Sequence, residues 1–198
     1  MEWLPPSFVF QLPEWIAPRL EKIPPFPTDT ERMQFVIDLA RENVARRTGG
    51  PFAAAVFDFS GAFISAGVNL VVPEQNSVLH AEIVALLFAH QRVKSYSLDA
   101  LGCDLYSSCD PCAMCLGATF WSGVRRLLCG APREAATEAG FDEGPVFPQS
   151  YQYLQDRGVT VVRRLCEPQA REVFRLYRQL DGEIYNGHPP LHPPDSPQ

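Results

Sequence analysis

Residues 103–121 read CDLYSSCDPCAMCLGATFW, and four of the six cysteines of the chain lie in this stretch. Its first half has the pattern of a short strand, and Pro111 then opens a run of small and apolar residues that is typical of a buried helix. Cys112 and Cys115 lie three residues apart on one face of that helix, so both sulfurs can reach the same point. The stretch therefore predicts a metal or redox site where the helix begins.

A second motif, His80-Ala81-Glu82, opens another predicted helix over 80–92, and 28 residues lie between Glu82 and Pro111. Helix N-termini favour thiolates, and two thiolates with one imidazole suit Zn²⁺ at about 2.0–2.3 Å. This donor set leaves one tetrahedral position open, as a catalytic zinc requires. We predict a catalytic zinc held by His80, Cys112 and Cys115, with Glu82 moving protons rather than binding metal.

Two other interpretations of these cysteines remain open. Cys109 and Cys112 have the same spacing as Cys112 and Cys115, so Cys109 would supply a fourth ligand to a purely structural zinc. The pair Cys112 and Cys115 alone has the spacing of a redox motif, but that interpretation leaves His80 and Glu82 without a role. The other three cysteines lie in apolar stretches and are expected to be buried packing thiols: Cys103, Cys129 and Cys166.

Strand and helix patterns alternate on both sides of the two motifs. The further predicted elements are a helix over 29–47, a hairpin of strands over 53–59 and 62–68, strands over 124–130 and 158–164, and a helix over 168–180. This alternation predicts an α/β fold in which one sheet is covered by helices. We expect a three-layer α/β/α sandwich around a mixed sheet of about five strands.

The prolines divide the 198 residues into a central domain and two extensions. Seven of the 19 prolines lie in residues 1–27 and five lie after residue 187. Proline-rich stretches favour extended chain over packed elements. We therefore predict a proline-rich N-terminal arm over 1–27, a domain over 28–180, and a C-terminal tail over 181–198.

Charge and cysteine usage narrow the class of protein. The net charge of −6 argues against a nucleic-acid partner, because phosphate binding normally requires a basic surface. No apolar run approaches the ~20 residues that cross a bilayer, so no membrane partner is expected. The cysteine spacing does not suit a secreted disulfide framework and indicates a reducing compartment. We expect a cytoplasmic protein that acts on a small molecule.

The combination of H-x-E with P-C-x-x-C is the signature of zinc-dependent base deaminases. Over residues 30–187 the chain resembles the cytidine deaminase superfamily, and within it the bacterial guanine deaminases. The segments that carry the resemblance are GGPFAAAV (49–56), GVNLVVP (67–73), HAE (80–82), PCAMCLGATFW (111–121), EAGFDEGP (138–145) and GEIYN (182–186). The first four are shared widely in the superfamily, whereas the last two are more selective for guanine deaminases.

The resemblance implies roles for further residues. It makes Glu82 a proton shuttle and Glu143 a second acid/base group near the departing amine. The implied substrate contacts are a hydrogen bond from Asn69, walls from Phe52 and Trp121, the backbone of Ala81, and Tyr185 from a tail that closes the site of a neighbouring subunit. The aromatic residues also suit a plain core, Asn69 a turn, and Glu143 a surface loop. One departure is Asp110, because the family often has glutamate before the Pro-Cys pair.

The implied activity is zinc-dependent hydrolytic deamination of guanine to xanthine and ammonia, carried out by a homodimer with exchanged C-terminal segments. Other small amino-heterocycles would use the same groups with a different pocket, including guanosine, cytidine, cytosine and an s-triazine such as ammeline. A tRNA adenosine deaminase and a non-catalytic zinc-binding interaction protein are less favoured. The negative net charge disfavours the tRNA substrate, and the presence of Glu82 disfavours a non-catalytic protein.

Overall fold

Five strands form one mixed sheet in the computed structural model, which describes residues 7–186. They are β1 (Ala53–Phe57), β2 (Phe63–Val68), β3 (Asp104–Cys109), β4 (Arg126–Ala131) and β5 (Thr160–Val162). Their order across the sheet is β2-β1-β3-β4-β5. Strand β1 is antiparallel to both β2 and β3, whereas β3, β4 and β5 are parallel to one another. The predicted mixed sheet of about five strands is confirmed.

Seven α-helices in the described part of the chain cover the two faces of this sheet. They are α1 (Ile16–Glu21), α2 (Asp29–Ala45), α3 (Ala81–Val93), α4 (Ala113–Ser122), α5 (Arg133–Ala139), α6 (Pro148–Asp156) and α7 (Glu167–Gln179). The core on one face joins α1, α2, α5 and α7, and the core on the other joins α3, α4 and α6. The three-layer α/β/α prediction is therefore also confirmed.

Strand β1 lies inside the sheet with helices on both faces, which explains why its sequence is apolar throughout rather than alternating. Ala53, Ala55 and Phe57 pack into the core under α2, and Ala54 and Val56 pack into the core under α3. All five residues are fully buried, because helices cover both faces of the strand. A strand of this kind holds its loops in fixed positions at both ends.

Helix α2 begins as its sequence predicts and ends slightly earlier. The Thr28 hydroxyl accepts from Glu31 N at 3.2 Å, and the Glu31 carboxylate accepts from Thr28 N at 2.9 Å, which completes a capping box. The helix ends at Ala45, two residues before its predicted end, and Arg47 follows with a left-handed φ of 57°. This turn starts the loop that leads into β1.

The segment before α2 contains a helix that the proline pattern does not predict. Helix α1 packs Ile16 into the core with 1% exposure, and the Phe10 and Phe88 rings lie 5.6 Å apart. Helices α5 and α6 are also additional to the predicted elements. The predicted boundaries at 27/28 and 180/181 stay predictions, and residues 1–6 and 187–198 of the two extensions lie outside the described residues. Between residues 7 and 186, no helix is both long and apolar enough to span a bilayer.

Arg126 connects the start of α2 to the sheet. Its Nη1 donates to Asp29 Oδ2 at 2.8 Å and its Nη2 donates to Asp104 Oδ2 at 2.6 Å. The Tyr106 hydroxyl donates to Asp29 Oδ1 at 2.5 Å. The side chain of Asp104 is only 7% exposed, so Arg126 neutralises a carboxylate that has lost its water. The hydrogen bond from Arg126 lowers the pKa of Asp29.

We expect Arg126→Met to reduce the free energy of unfolding at pH 7 by about 2–3 kcal/mol, because Asp104 then stays buried without its partner. Asp29 has a lowered pKa in the folded protein, so its stabilising contribution is complete above its unfolded pKa of about 3.9. That contribution is lost as the pH falls through the lower folded pKa. Urea unfolding at several pH values should show the difference between parent and variant narrowing below about pH 4.

The neighbouring Arg125 supplies the control. It pairs with Asp99 at the surface, where the two side chains are 59% and 65% exposed. Arg125→Met should therefore cost less than about 1 kcal/mol. Equal losses in the two variants would contradict the account of Arg126 as the partner of a buried carboxylate.

Candidate active site

Two helices begin at the carboxyl end of β3, and each contributes metal-binding groups at its first turn. His80 is the N-cap residue of α3, and Cys112 is the N-cap residue of α4. Cys115 follows one turn later on the same face as Cys112. The His80 Nδ1 lies 3.4 Å from Cys112 Sγ and 3.7 Å from Cys115 Sγ. Both predicted motifs therefore meet at one point.

The three donors fit a zinc ion. Their ligand atoms all lie within 4.8 Å of one another, and no other such cluster occurs among residues 7–186. Bonds of about 2.0–2.3 Å in a tetrahedral arrangement require donors roughly 3.5 Å apart, which agrees with the observed separations. Cys109 lies outside the cluster, and its Sγ contacts the carbonyl of Pro132 at 3.8 Å. The geometry favours three protein ligands over the four-ligand alternative.

The groups around Cys112 favour the thiolate form of its side chain. Hydrogen bonding from the Cys115 thiol lowers the pKa of Cys112 to about 4, and the nearby His80 acts in the same direction. Burial lowers the pKa of His80, but the Cys112 sulfur and the nearby carboxylates outweigh burial and raise it overall. Burial raises the pKa of Cys109 well above its usual range, so that thiol stays neutral. Anionic sulfur is therefore concentrated where the helices begin.

Glu82 lies in the first turn of α3 beside the three donors. Its side chain is buried, and the residue is 5% exposed. The Ser107 hydroxyl of β3 donates to Glu82 Oε1 at 3.0 Å, and Cys115 Sγ lies 3.4 Å from Oε2. Burial raises the pKa of Glu82. Ser107 fixes the orientation of a carboxylate that is able to exchange protons, and nothing in the sequence motifs indicates this contact.

A cavity of about 160 Å³ opens over His80, Cys112 and Glu82. It also brings together residues from four other segments of the chain. The further lining residues are Phe52, Asn69, Val71, Ser77, Asp110, Phe141, Asp142, Glu143, Tyr185 and Asn186. Nine of these ten side chains offer a carboxylate, amide, hydroxyl or aromatic surface. The site therefore combines three possible metal ligands with a small cavity lined by polar and aromatic side chains.

Glu143 reaches the cavity from the loop after α5, as the resemblance implies. Burial raises the pKa of Glu143 to about 8. Its backbone carbonyl accepts from Ala113 N at 3.0 Å, which ties the loop to the start of α4. Asn186 of the tail holds the same loop, because it accepts from Asp142 N at 2.8 Å and donates to Gly140 O at 3.1 Å. The tail and α4 together fix the backbone around Glu143.

Aromatic rings form one wall of the cavity. Phe52 packs against Phe141 and Phe174 with centroids 5.1 and 5.4 Å apart, and Tyr185 packs against Phe141 at 5.1 Å. The Tyr185 hydroxyl is buried, and within residues 7–186 it has no hydrogen-bond partner. Tyr185 comes from the same chain here. The implied exchange of the tail with a neighbouring subunit stays a prediction.

Two of the implied contact residues do not line the cavity. Trp121 is 79% exposed near the end of α4, where it packs against Phe120 with centroids 5.0 Å apart. Ala81 is fully buried at the first position of α3, with its carbonyl close to Gly67. The roles of Trp121 and Ala81 in contacting a base stay predictions.

Asp110 has a definite structural partner despite its departure from the family pattern. Its side chain is completely buried and is bound by the Arg163 guanidinium, whose Nε donates to Oδ1 at 3.0 Å. The second contact runs from Arg163 Nη2 to Oδ2. Asp110 Oδ2 also accepts from Arg133 N at 3.1 Å, at the start of α5. Asp110 is therefore fully occupied in joining the end of β3 to β5 and α5.

Comparisons with known proteins agree with this geometry. The family model described as the cytidine and deoxycytidylate deaminase zinc-binding region matches residues 27–131. The guanine deaminase of Bacillus subtilis strain 168 is 36% identical over 123 residues, which cover 62% of this chain and 77% of that protein. The solved structure of guanine deaminase from Nitrosomonas europaea has a TM-score of 0.84 at 38% identity, over 90% of this chain and 100% of that chain. A mutant of the protein NE0047, crystallised in complex with 8-azaguanine, has a TM-score of 0.84 at 38% identity, over 90% and 99% of the two chains.

The donor cluster makes a prediction about metal content. The purified protein should contain about one zinc per chain, and Cys112→Ala or Cys115→Ala should remove it, since a site with two remaining ligands binds zinc weakly. Cys109→Ala is the matched control, because Cys109 is also buried but lies outside the cluster. It should keep its zinc. Loss of zinc from Cys109→Ala, measured by elemental analysis after dialysis, would indicate a four-ligand structural site.

Proposed function

The chain belongs to the cytidine and deoxycytidylate deaminase family and is a hydrolytic deaminase, and from this premise we propose that its substrate is guanine. The products are xanthine and ammonia. The observation that carries the proposal is the joining, in one small cavity, of the His80–Cys112–Cys115 cluster with the carboxylates of Glu82 and Glu143. The guanine deaminase of Nitrosomonas europaea matches 90% of this chain, which supports the same substrate.

The reaction replaces the exocyclic amine of guanine with a hydroxyl oxygen from water. A carbon–oxygen bond forms at the carbon that bears the amine, the carbon–nitrogen bond breaks, and ammonia leaves with the electron pair and one added proton. His80, Cys112 and Cys115 would hold zinc, which when bound supplies a Lewis acid that makes water nucleophilic at neutral pH. The chain itself must orient the ring and move the protons.

Glu82 is the proposed proton shuttle. It takes a proton from the attacking water and returns it to the ring nitrogen beside the reacting carbon. Ser107 donates to one carboxylate oxygen at 3.0 Å, so the other oxygen is directed toward the metal cluster. General acid/base catalysis of this kind accelerates a reaction by about 10²–10⁴-fold.

Glu143 is the proposed second acid/base group, acting on the departing amine. It is 8% exposed and lines the same cavity as Glu82. The loop that carries it is held by Ala113 N on one side and by Asn186 on the other. A carboxyl group in such a fixed and partly dehydrated position is suited to give the one proton that the amino group gains as it leaves as ammonia.

Asn69 is the proposed group that recognises the base. Its Oδ1 accepts from Val71 N at 3.2 Å, so its amide NH₂ is the end that remains for a ligand. An NH₂ in the cavity donates to an acceptor on the ring edge of a purine. Phe52 offers a flat apolar surface beside it, and the unpartnered Tyr185 hydroxyl offers a second polar contact.

The dimensions of the cavity favour a free base. Its volume of about 160 Å³ is below the roughly 300–1,000 Å³ of pockets that hold drug-sized ligands. Tyr185 and Asn186 of the tail form part of its wall, which further limits its opening. A ribose or a folded tRNA would have to displace these residues. Both observations support guanine over guanosine and over a tRNA substrate.

The assembly and location are proposed as well. The tail turns at Asp181, which has a left-handed φ of 52°, and then crosses the cavity of its own chain. The same contacts would form with a second copy if this turn opened, which is a common route to an exchanged homodimer. All six cysteines are free thiols, which supports a reducing cytoplasmic location.

The substrate proposal is tested by ammonia release from a panel of compounds. Guanine should be consumed at least about tenfold more efficiently than guanosine, cytosine, cytidine or ammeline, because each alternative loses a contact or exceeds the cavity. Transfer RNA should release no ammonia. If another compound of the panel is consumed more efficiently, guanine is not the substrate. Inactivity on all of the compounds would contradict the proposed function.

Glu82→Gln separates binding from chemistry. The amide keeps the shape of the side chain but does not accept a proton from water, so kcat should fall by about 10²-fold or more while zinc content stays near one per chain. Glu143→Gln should also lower kcat without loss of zinc. Glu134→Gln, on the exposed first turn of α5, is the control and should retain parent activity. Parent activity in Glu82→Gln would refute its role as the shuttle.

Exchange of the tail is tested by complementation. Glu82→Gln and Tyr185→Ala chains should each be weakly active alone, but co-expression should restore about a quarter of the parent activity, since half of randomly paired dimers contain one complete site. If the tail serves its own chain, the mixture should be no more active than its components. Sedimentation velocity then checks that the parent is a dimer at micromolar concentration.

A further inference from the structure

Asn43 is a completely buried amide in the last turn of α2, close to the cavity but not part of its lining. Its Nδ2 donates to Gly50 O at 3.0 Å and to Asn69 O at 3.2 Å. Its Oδ1 accepts from the Thr48 hydroxyl at 2.8 Å. The NH₂ group of the Asn43 side chain therefore makes two hydrogen bonds and its oxygen accepts one, so this buried amide is well satisfied. This one side chain connects α2 to two separate segments that form the cavity.

The connection continues outward to the N-terminal segment. The Trp15 Nε1 donates to Thr48 Oγ1 at 3.0 Å, and the Thr48 hydroxyl in turn donates a hydrogen bond to Asn43 Oδ1 at 2.8 Å. Trp15 lies just before α1, partly buried against the core, and the Arg46 guanidinium lies 5.9 Å from its ring centre. The three residues Trp15, Thr48 and Asn43, which we call the Asn43 relay, thus run from the N-terminal segment to the backbone of Asn69.

The cavity end of the relay is tightly packed. A Cβ on Gly49 would lie 2.0 Å from Asn69 O and 2.7 Å from Asn43 Nδ2, so only glycine allows these backbones to approach. A Cβ on Gly50 would lie 2.2 Å from the Tyr185 hydroxyl. The backbone N of Asn69 donates to the backbone carbonyl of Phe52 at 3.0 Å. Asn69 therefore has little freedom to move while the relay is intact.

We propose that the Asn43 relay is a positioning device for substrate recognition, through which the N-terminal segment sets the place of Asn69 in the cavity. This rests on the proposed function, because it assumes that the Asn69 NH₂ donates to the base. The relay touches neither the metal cluster nor Glu82. It consequently affects how well guanine is held rather than how fast bound guanine reacts.

Energetic reasoning supports a role through binding. A hydrogen bond that recognises a ligand keeps its full strength only when its donor is held in advance at the right position. Removal of the Thr48 hydroxyl would leave Trp15 Nε1 and Asn43 Oδ1 without these partners. The buried Asn43 amide would then have to shift or rotate to form another hydrogen bond. Such a shift moves Asn69 O, which is bonded to the same amide.

Thr48→Val tests the relay, because valine keeps the shape of threonine and removes only the hydroxyl. The KM for guanine should rise about tenfold, equivalent to about 1.4 kcal/mol, while kcat and zinc content change by less than about twofold. Trp15→Phe removes the outer donor and should raise KM in the same direction by a smaller factor. Thr137→Val is the control, since its hydroxyl donates only to the Glu134 carbonyl on exposed α5, and it should match the parent.

A double-mutant cycle on kcat/KM separates this role from general loosening of the protein. If the relay acts through Asn69, Thr48→Val should lower kcat/KM about tenfold in the parent but less than about twofold in an Asn69→Ala background. Equal losses in both backgrounds, or an unchanged KM in Thr48→Val, would overturn the proposal. A parent that does not deaminate guanine would instead refute the proposed function, so the two failures are distinct.

Discussion

The site depends on one geometric constraint, which is that two helices must begin at the same point. His80 is the N-cap residue of α3 and Cys112 is that of α4, and their ligand atoms lie 3.4 Å apart. Helix N-termini stabilise anionic groups, so thiolates and carboxylates collect there at lower cost than elsewhere in a protein interior. Strand β3, buried on both faces, supplies the rigid edge against which both helices start. The predicted zinc site, the proposed position of Glu82 as proton shuttle and the cavity all follow from this convergence.

Around that point, short polar contacts hold loops that the sheet alone would leave free. Asp110 joins the end of β3 to Arg163 and to the start of α5, and Asn186 holds the loop that carries Glu143. Asn43 does the same for Asn69 from inside the molecule. Asp110 and Asn43 are buried and therefore expensive to leave unpaired, which makes the positions of their loops specific. The proposed catalytic groups, which come from distant parts of the sequence, are thereby held in one cavity.

Much of this arrangement could be predicted from the sequence. The features that could not be predicted depend on contacts between residues that are far apart in the chain. The mixed sheet, the layers and the motifs carrying His80, Cys112 and Cys115 follow from periodicity and spacing, because these signals are local. Helix α1 was missed because prolines surround it, yet tertiary packing of Ile16 stabilises so short a helix. Ser107 and Asn43 bind Glu82 and Asn69, which are 25 and 26 residues away, and such distant contacts leave no local pattern. Asn186 lies in the GEIYN segment, but that motif does not show its partners 44 and 46 residues away. The exposure of Trp121 likewise depends on which face of α4 meets the core.

If the protein deaminates guanine by hydrolysis in this cavity, the new oxygen of xanthine comes from water. The most direct measurement is mass spectrometry of the products after zinc-loaded protein is incubated with guanine in oxygen-18 water. Our account predicts xanthine with one oxygen-18 atom at the carbon that carried the amine, and one ammonia for each xanthine formed. Xanthine without the label, or no xanthine from a protein with full zinc content, would contradict it.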